Sequence, residues 1–135
     1  MAGICVVGEW HQALVVGAAL ASLGHRVRGG VSSGAVADAL QAGRLPIHEP
    51  GLDEAVASGV RSGALGYTAE WGDALAGAEF AFLSIDTPIG DDDAPQLDSL
   101  FAAACRIGDA LAHDLTLVVT AQVPVGTSAA LADTV

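Results

Sequence analysis

The chain has 135 residues, with sixteen acids against five bases and a net charge of −11. That is one domain's length, enough for a core without staples, and 52% hydrophobic residues with a mean hydropathy of +0.51 exclude a disordered tail. The acidity argues against nucleic acid and anionic membrane as partners, and the absence of lysine removes Schiff-base chemistry and a P-loop lysine.

Ile4–Val7 is a short β-branched run with one cysteine, ending at Gly8, the pattern of a buried parallel strand. His11–Leu23, rich in Ala and Leu and closed by Gly24, predicts a helix with a glycine stop. At 11 residues, the apolar stretch Ala13–Leu23 is too short to span a membrane, and no basic segment precedes it as in a signal peptide. Arg26–Val31 is a weaker strand, and Ser33 caps a helix running through Ala42 to the stop at Gly43. Arg44–Gly51, with Pro46 and Pro50, is irregular. A helix over Leu52–Arg61, a strand over Leu65–Thr68 and a helix over Glu70–Ala76 follow.

Glu79–Ile85 is the next strand, and Asp86–Pro95 a polar loop. Gln96–Ala112 is amphipathic, with Leu97, Leu100, Phe101, Ala104, Ile107, Gly108 and Leu111 on one stripe. Leu115–Thr120 is a strongly apolar strand, Pro124–Gly126 a turn, and Thr127 opens a last helix. Strands alternating with helices imply an α/β fold: a Rossmann-type doubly wound parallel sheet of five strands, order 3-2-1-4-5, in a single domain over residues 1–135, truncated after the fifth strand.

The first strand–turn–helix is the natural anion site. A dinucleotide fingerprint asks there for Gly-x-Gly-x-x-Gly or Ala. The chain has Gly8-Glu9-Trp10-His11-Gln12-Ala13, with the first glycine and the last small residue in place but Trp10 at the second glycine. Spacing alone leaves a dinucleotide site and a plain strand–turn–helix corner both open. No acid ends the second strand, where one would hold the ribose of NAD; Ser32 or Ser33 is a neutral substitute. Arg28 reads either as a 2′-phosphate contact or as a solvated strand-edge charge. Asp91-Asp92-Asp93 lacks the alternation of a calcium loop and reads as a solvated loop. The four histidines show no metal-ligand spacing, so no metal site is expected, and no Ser/His/Asp set stands out for catalysis. Cys5 and Cys105 are outside any C-x-x-C pair and read as reduced and buried, which fits a cytoplasmic protein.

Taken together, several segments resemble the N-terminal, NAD-binding domain of the UDP-glucose/GDP-mannose dehydrogenases. They are Ile4–Gly8, Leu14–His25, Ala39–Leu52 with its Glu49-Pro50-Gly51-Leu52, Thr87-Pro88-Ile89-Gly90 and Val123-Pro124-Val125-Gly126-Thr127. The resemblance implies a family reaction in which NAD oxidises the C6 alcohol of a UDP- or GDP-sugar to the carboxylate. It places the cofactor against Gly8, Trp10, His11, Gln12, Ala13, Ser32, Thr87, Pro88 and Gln122. The Gly8–Ala13 loop would face the pyrophosphate, Thr87 and Pro88 the nicotinamide side, and the segment around Gln122 and Val123 the reacting sugar carbon.

The family's catalytic cysteine and lysine belong to a later domain, so no catalytic residue carries over, and a separate catalytic, substrate-binding domain is the expected partner. This chain alone is expected to be inactive, as a fragment or divergent member. Departures from the pattern imply weakened or lost NAD binding. Trp10-His11 replaces glycine-tyrosine, Ala121-Gln122 replaces Ser-Thr, and Val31 stands where the ribose acid is expected. Val31→Asp is accordingly expected to strengthen NAD binding. Glu9 adds a charge beside the pyrophosphate, a repulsion of roughly 3 kcal/mol at about 5 Å unless the carboxylate turns to solvent. The alternative is a non-catalytic Rossmann-like module with a decayed cofactor site, serving interaction or regulation. A fragment of a different Rossmann dehydrogenase or reductase is a third reading.

Overall fold

The computed structural model describes all 135 residues. Its elements are β1 (Gly3–Val7), α1 (His11–Ser22), β2 (Arg26–Gly30), α2 (Gly34–Gln41), α3 (Leu52–Ser62), β3 (Leu65–Thr68), α4 (Trp71–Leu75), β4 (Phe80–Leu83), α5 (Asp98–Ala110), β5 (Thr116–Val119) and α6 (Thr127–Ala132). The strands form one sheet in the order β3-β2-β1-β4-β5, and every pairing is parallel. This is the Rossmann-type order that the alternation of elements implies.

A parallel sheet needs cover on both faces, and β1 serves both layers. Ile4 and Val6 join one core with α1, α2 and α3, while Cys5 and Val7 join the other with α4, α5 and α6. Side chains alternate across a strand with period two, so one short apolar run feeds two cores. Three strands end earlier than their apolar patterns. Val31, Ser84 and Thr120 still donate ladder hydrogen bonds to Thr68, Val7 and Leu83 but lie beyond the last strand residues.

The weakness of β2 as a strand pattern has a packing cause. A β-carbon on Gly29 would lie 2.4 Å from Cδ1 of Tyr67, and one on Gly30 would touch the indole of Trp71 at 3.6 Å. The glycine pair makes room for two aromatic rings, one on each face of the sheet. Ser33 caps α2 as its position foretells, its Oγ accepting from the Val36 N–H at 3.3 Å. Such a cap contributes about 1 kcal/mol.

Helix α5 buries Leu100, Ala103, Ala104 and Ile107. Leu97, Phe101, Gly108 and Leu111 from the expected stripe are half-buried at its margins. Cys105 corrects the expectation of two buried thiols: it is exposed, because one residue beyond Ala104 lies about 100° around the helix. Cys5 is fully buried on β1, and burial pushes its thiol up to about 12, against a smaller opposing effect of a backbone hydrogen bond from Gly30.

A thiol reagent at pH 8 is therefore expected to modify Cys105 at once and Cys5 only as the chain unfolds. Because the folded-state pKa of Cys5 is raised, its neutral form contributes full stability below the ordinary value of 9.0, and that contribution is lost as pH rises through about 12. Urea midpoints should fall more steeply above pH 9 for the native chain than for Cys5→Ala. Equal slopes would remove the buried thiol as a titrating group.

Candidate nucleotide site

In an open parallel sheet a ligand site forms at the carboxyl ends of the strands, where the strand order reverses. Here that point lies between β1 and β4, whose following long helices, α1 and α5, go to opposite layers. β1 ends at Gly8, which has φ +140° and donates its N–H to Gly30 O at 3.1 Å. A β-carbon there would lie 2.4 Å from Ser84 O and 2.9 Å from Cβ of Ala13. Glycine is thus required on two counts: its backbone conformation and the closeness of β4 and α1.

Trp10 is different. It caps α1 at φ −111°, ψ −169°, extended backbone that any residue adopts, so the departure from glycine costs no strain. Its side chain makes no cap hydrogen bond, and the N–H groups of His11, Gln12 and Ala13 meet no acceptor in the protein. Free amides at the positive end of a 12-residue helix suit an anion such as a pyrophosphate. The donor set therefore fits the phosphate portion of a dinucleotide.

Three clefts adjoin this helix end; one, about 460 Å³, lies between Glu9, Trp10, α2 and Arg44–Pro46, and two lie toward the switch point. The first, about 390 Å³, is lined by the ends of β1 and β2 with Ser84, Ile85 and Asp86, and by Trp71, Ser99 and Arg106 from the helices beyond. The second, about 560 Å³, lies between Trp10–Gln12, Ile85–Pro88 and Thr120–Gln122. Trp10, half-exposed, borders both.

Of the residues expected at the cofactor, Gly8, Trp10 and Ser32 meet at the first cleft, and Trp10, His11, Gln12, Thr87, Pro88 and Gln122 at the second. Ala13 lies buried beneath Gly8. Several of these side chains are already partnered. His11 Nε2 pairs with the Glu49 carboxylate of the proline-rich loop. Gln12 Nε2 donates to Thr120 O at 3.3 Å, and Thr87 Oγ1 donates to Gln122 O at 2.8 Å. These contacts tie the loops after β4 and β5 to each other and to α1.

The charges around the first cleft are Glu9, Asp86 and Arg106. Arg106 lies 4.1 Å from the centroid of the Trp71 ring and donates to Ala69 O at 2.8 Å. Trp71 Nε1 in turn donates to Val31 O at 2.9 Å. No sequence spacing foretells Trp71 or Arg106 here, since α4 and α5 approach the cleft only through packing. Arg28, half-buried in the middle of β2, is committed to Val27 O at 2.8 Å and Gly63 O at 3.4 Å and lines none of these clefts. The other histidines are partnered structurally: His25 Nδ1 accepts from Ala2 N, His113 meets Ala78 O and His48 lies 3.7 Å from Asp53.

Val31 requires a correction. It borders the first cleft as expected, but its side chain is 1% exposed and packs in the core layer of α1, α2 and α3, so an acid introduced at this position would start out buried in apolar surroundings. Val31→Asp is now expected to destabilise the fold, by on the order of 3 kcal/mol at neutral pH. Burial raises a carboxyl pKa, so the penalty should be full at pH 8 and smaller at pH 4, near the ordinary Asp value, where the cost of burying the neutral carboxyl remains. Urea denaturation at the two pH values checks this; equal stability to the native chain at pH 8 would put the side chain at the cleft instead.

The profile of the "UDP-glucose/GDP-mannose dehydrogenase family, NAD binding domain" matches residues 2–135. The chain is 33% identical over 125 residues to the UDP-glucose 6-dehydrogenase of Pseudomonas aeruginosa, covering 93% of this chain and 28% of that protein. It is 37% identical over 126 residues to that of Rhizobium meliloti, covering 92% and 29%. Among solved structures it is similar to a UDP-glucose dehydrogenase from the hyperthermophilic archaeon Pyrobaculum islandicum, with a TM-score of 0.90 and 32% identity over 99% of this chain and 33% of that one. The chain thus spans less than a third of the length of these relatives.

Proposed function

We propose a function from one premise: the chain belongs to the UDP-glucose/GDP-mannose dehydrogenase family and corresponds to its NAD-binding domain. In this reading NAD lies across the switch point, with its adenosine half in the first cleft and its pyrophosphate on the amides of His11, Gln12 and Ala13. Its nicotinamide half lies in the second cleft beside Thr87, Pro88 and Gln122. The observation that carries the reading is the uncapped N-terminus of α1 beside a Gly8 that leaves no room for a side chain. Bound NAD supplies the hydride acceptor. The residues of this chain orient it: Gly8 lets β1 and α1 close together, and the Thr87–Gln122 hydrogen bond joins the two loops at the nicotinamide end.

The whole protein would then oxidise the C6 alcohol of a UDP- or GDP-sugar, with a separate catalytic, substrate-binding domain completing the site. Nothing within these 135 residues supplies that chemistry. There is no lysine, Cys5 is buried with its thiol held protonated, and Cys105 lines neither cleft. No helix is long and apolar enough to cross a membrane, and two unpaired cysteines suit a reducing, cytoplasmic setting.

A second reading, a non-catalytic module with a decayed cofactor site, draws on the intramolecular partners that His11, Gln12 and Ser32 already have. Calorimetric titration of the chain with NAD and ADP-ribose separates the two. Saturable binding of both is expected, and absence of heat with either would leave the module reading. With UDP-glucose or GDP-mannose and NAD, the 135-residue chain is expected to form no NADH. Turnover that survives Cys5→Ser and Cys105→Ser would place the chemistry in residues assigned here to binding.

A further inference from the structure

The ribose of a dinucleotide in this fold is ordinarily held by an acid at the end of the second strand, and this chain has none there. The structure nonetheless carries a carboxylate to that place from another element. Glu9, in the turn between β1 and α1, reaches the second residue past β2 and is held by two hydrogen bonds. The Ser32 N–H donates to Glu9 Oε2 at 2.8 Å, and the Ser32 Oγ donates to Glu9 Oε1 at 2.9 Å. Both residues line the first cleft. The charge that the sequence alone would turn toward solvent is instead fixed at the carboxyl end of β2.

We infer that Glu9, oriented by Ser32, is the ribose-recognising acid of this chain and selects NAD over its 2′-phosphorylated form. The inference rests on the NAD-binding reading and deepens it. A carboxylate offers about four acceptor sites on its two oxygens. Ser32 uses one on each, which leaves one on each for the two hydroxyls of a ribose. The clamp on Ser32 is itself bidentate, so the carboxylate plane is set before any ligand arrives, and little side-chain freedom remains to be lost on binding. A neighbouring 2′-phosphate would meet that negative charge and be repelled. Arg106, the base of the first cleft, is engaged with Trp71 and Ala69 O and so offers that phosphate little compensation, while Arg44 lines the adjoining cleft on the α2 side of Glu9.

Just past the second strand this chain carries Val31, which borders the cleft but packs its side chain in the core. Placing the acid on the turn after β1 answers the same chemical need from the neighbouring strand. The parallel register that sets Val7 beside Gly30 brings the two loops together.

Calorimetric titration with NAD, NADP and NAD carrying 2′-deoxyadenosine tests the inference on the native chain, Glu9→Gln and Ser32→Ala, each checked for folding by thermal denaturation. The native chain is expected to bind NAD at least about tenfold more tightly than either analogue, the size of effect of one charge-assisted hydrogen bond. Glu9→Gln should weaken NAD about tenfold and erase most of the preference, while Ser32→Ala should weaken it less, because the backbone N–H remains. Unchanged or tighter NAD binding by Glu9→Gln overturns the inference while leaving NAD binding itself intact. A native chain that binds NAD without distinguishing the 2′-deoxy form overturns it too, and does so even if Glu9→Gln fails to fold. A native chain that binds none of the three removes the NAD-binding reading, and this inference with it.

Discussion

Gly8 stands where three strands and a helix meet, and a β-carbon there would lie 2.4 Å from Ser84 O and 2.9 Å from Cβ of Ala13. Its N–H bonds to Gly30 O, so the ends of β1 and β2 are joined through it while β4 and α1 press against it. Any side chain would push α1 off the sheet edge. With the helix moved, its free amides would no longer converge on the crevice between β1 and β4. The clefts, the position of Trp10 and the reach of Glu9 all follow from this one close approach.

The chemistry of the edge is built by loops that different strands carry to one place. The loop after β4 brings Asp86, Thr87 and Pro88, the loop after β5 brings Gln122, and Thr87 hydrogen-bonds to the Gln122 carbonyl. The proline-rich connection between α2 and α3 returns to the start of α1 through Glu49 and His11. A rigid sheet with polar, mutually bonded loops at its carboxyl edge is a platform that holds a long, flexible cofactor extended. The net charge of −11 makes such a platform unfavourable for a dinucleotide unless amides and dipoles outweigh the nearby acids. The free N–H groups at the uncapped end of α1 act in that direction, and the hydrogen bonds to Ser32 hold Glu9 in a defined place.

Chain relatedness and geometry agree on the domain while dividing the labour differently from the bare fingerprint. The second glycine of the motif is absent, but the backbone at Trp10 is ordinary extended chain and does not call for glycine. The indole then becomes part of the wall between two clefts. The fold itself thus demands only the first glycine, while the second belongs to the approach of a pyrophosphate.

The sequence by itself determined the alternation of strands and helices and the order of the sheet. Those depend on local apolar periodicity, glycine stops at Gly24 and Gly43, and the handedness of crossovers, all of which are written residue by residue. It also marked Gly8 and the loop positions Trp10, His11, Gln12, Thr87, Pro88 and Gln122 that line the clefts. What it left undecided was where side chains point once strands pair. Val31 and Ser32 both border the first cleft at the end of β2, yet the Val31 side chain is buried in the core while Ser32 is exposed. Cys105 lies on the outer face of α5 rather than in its stripe. The partnership of Glu9 with Ser32 joins residues 23 apart in sequence, and that of Trp71 with Val31 joins residues 40 apart. Only the tertiary structure decided these, because they depend on strand register and on helices packed across the sheet, which no local pattern encodes.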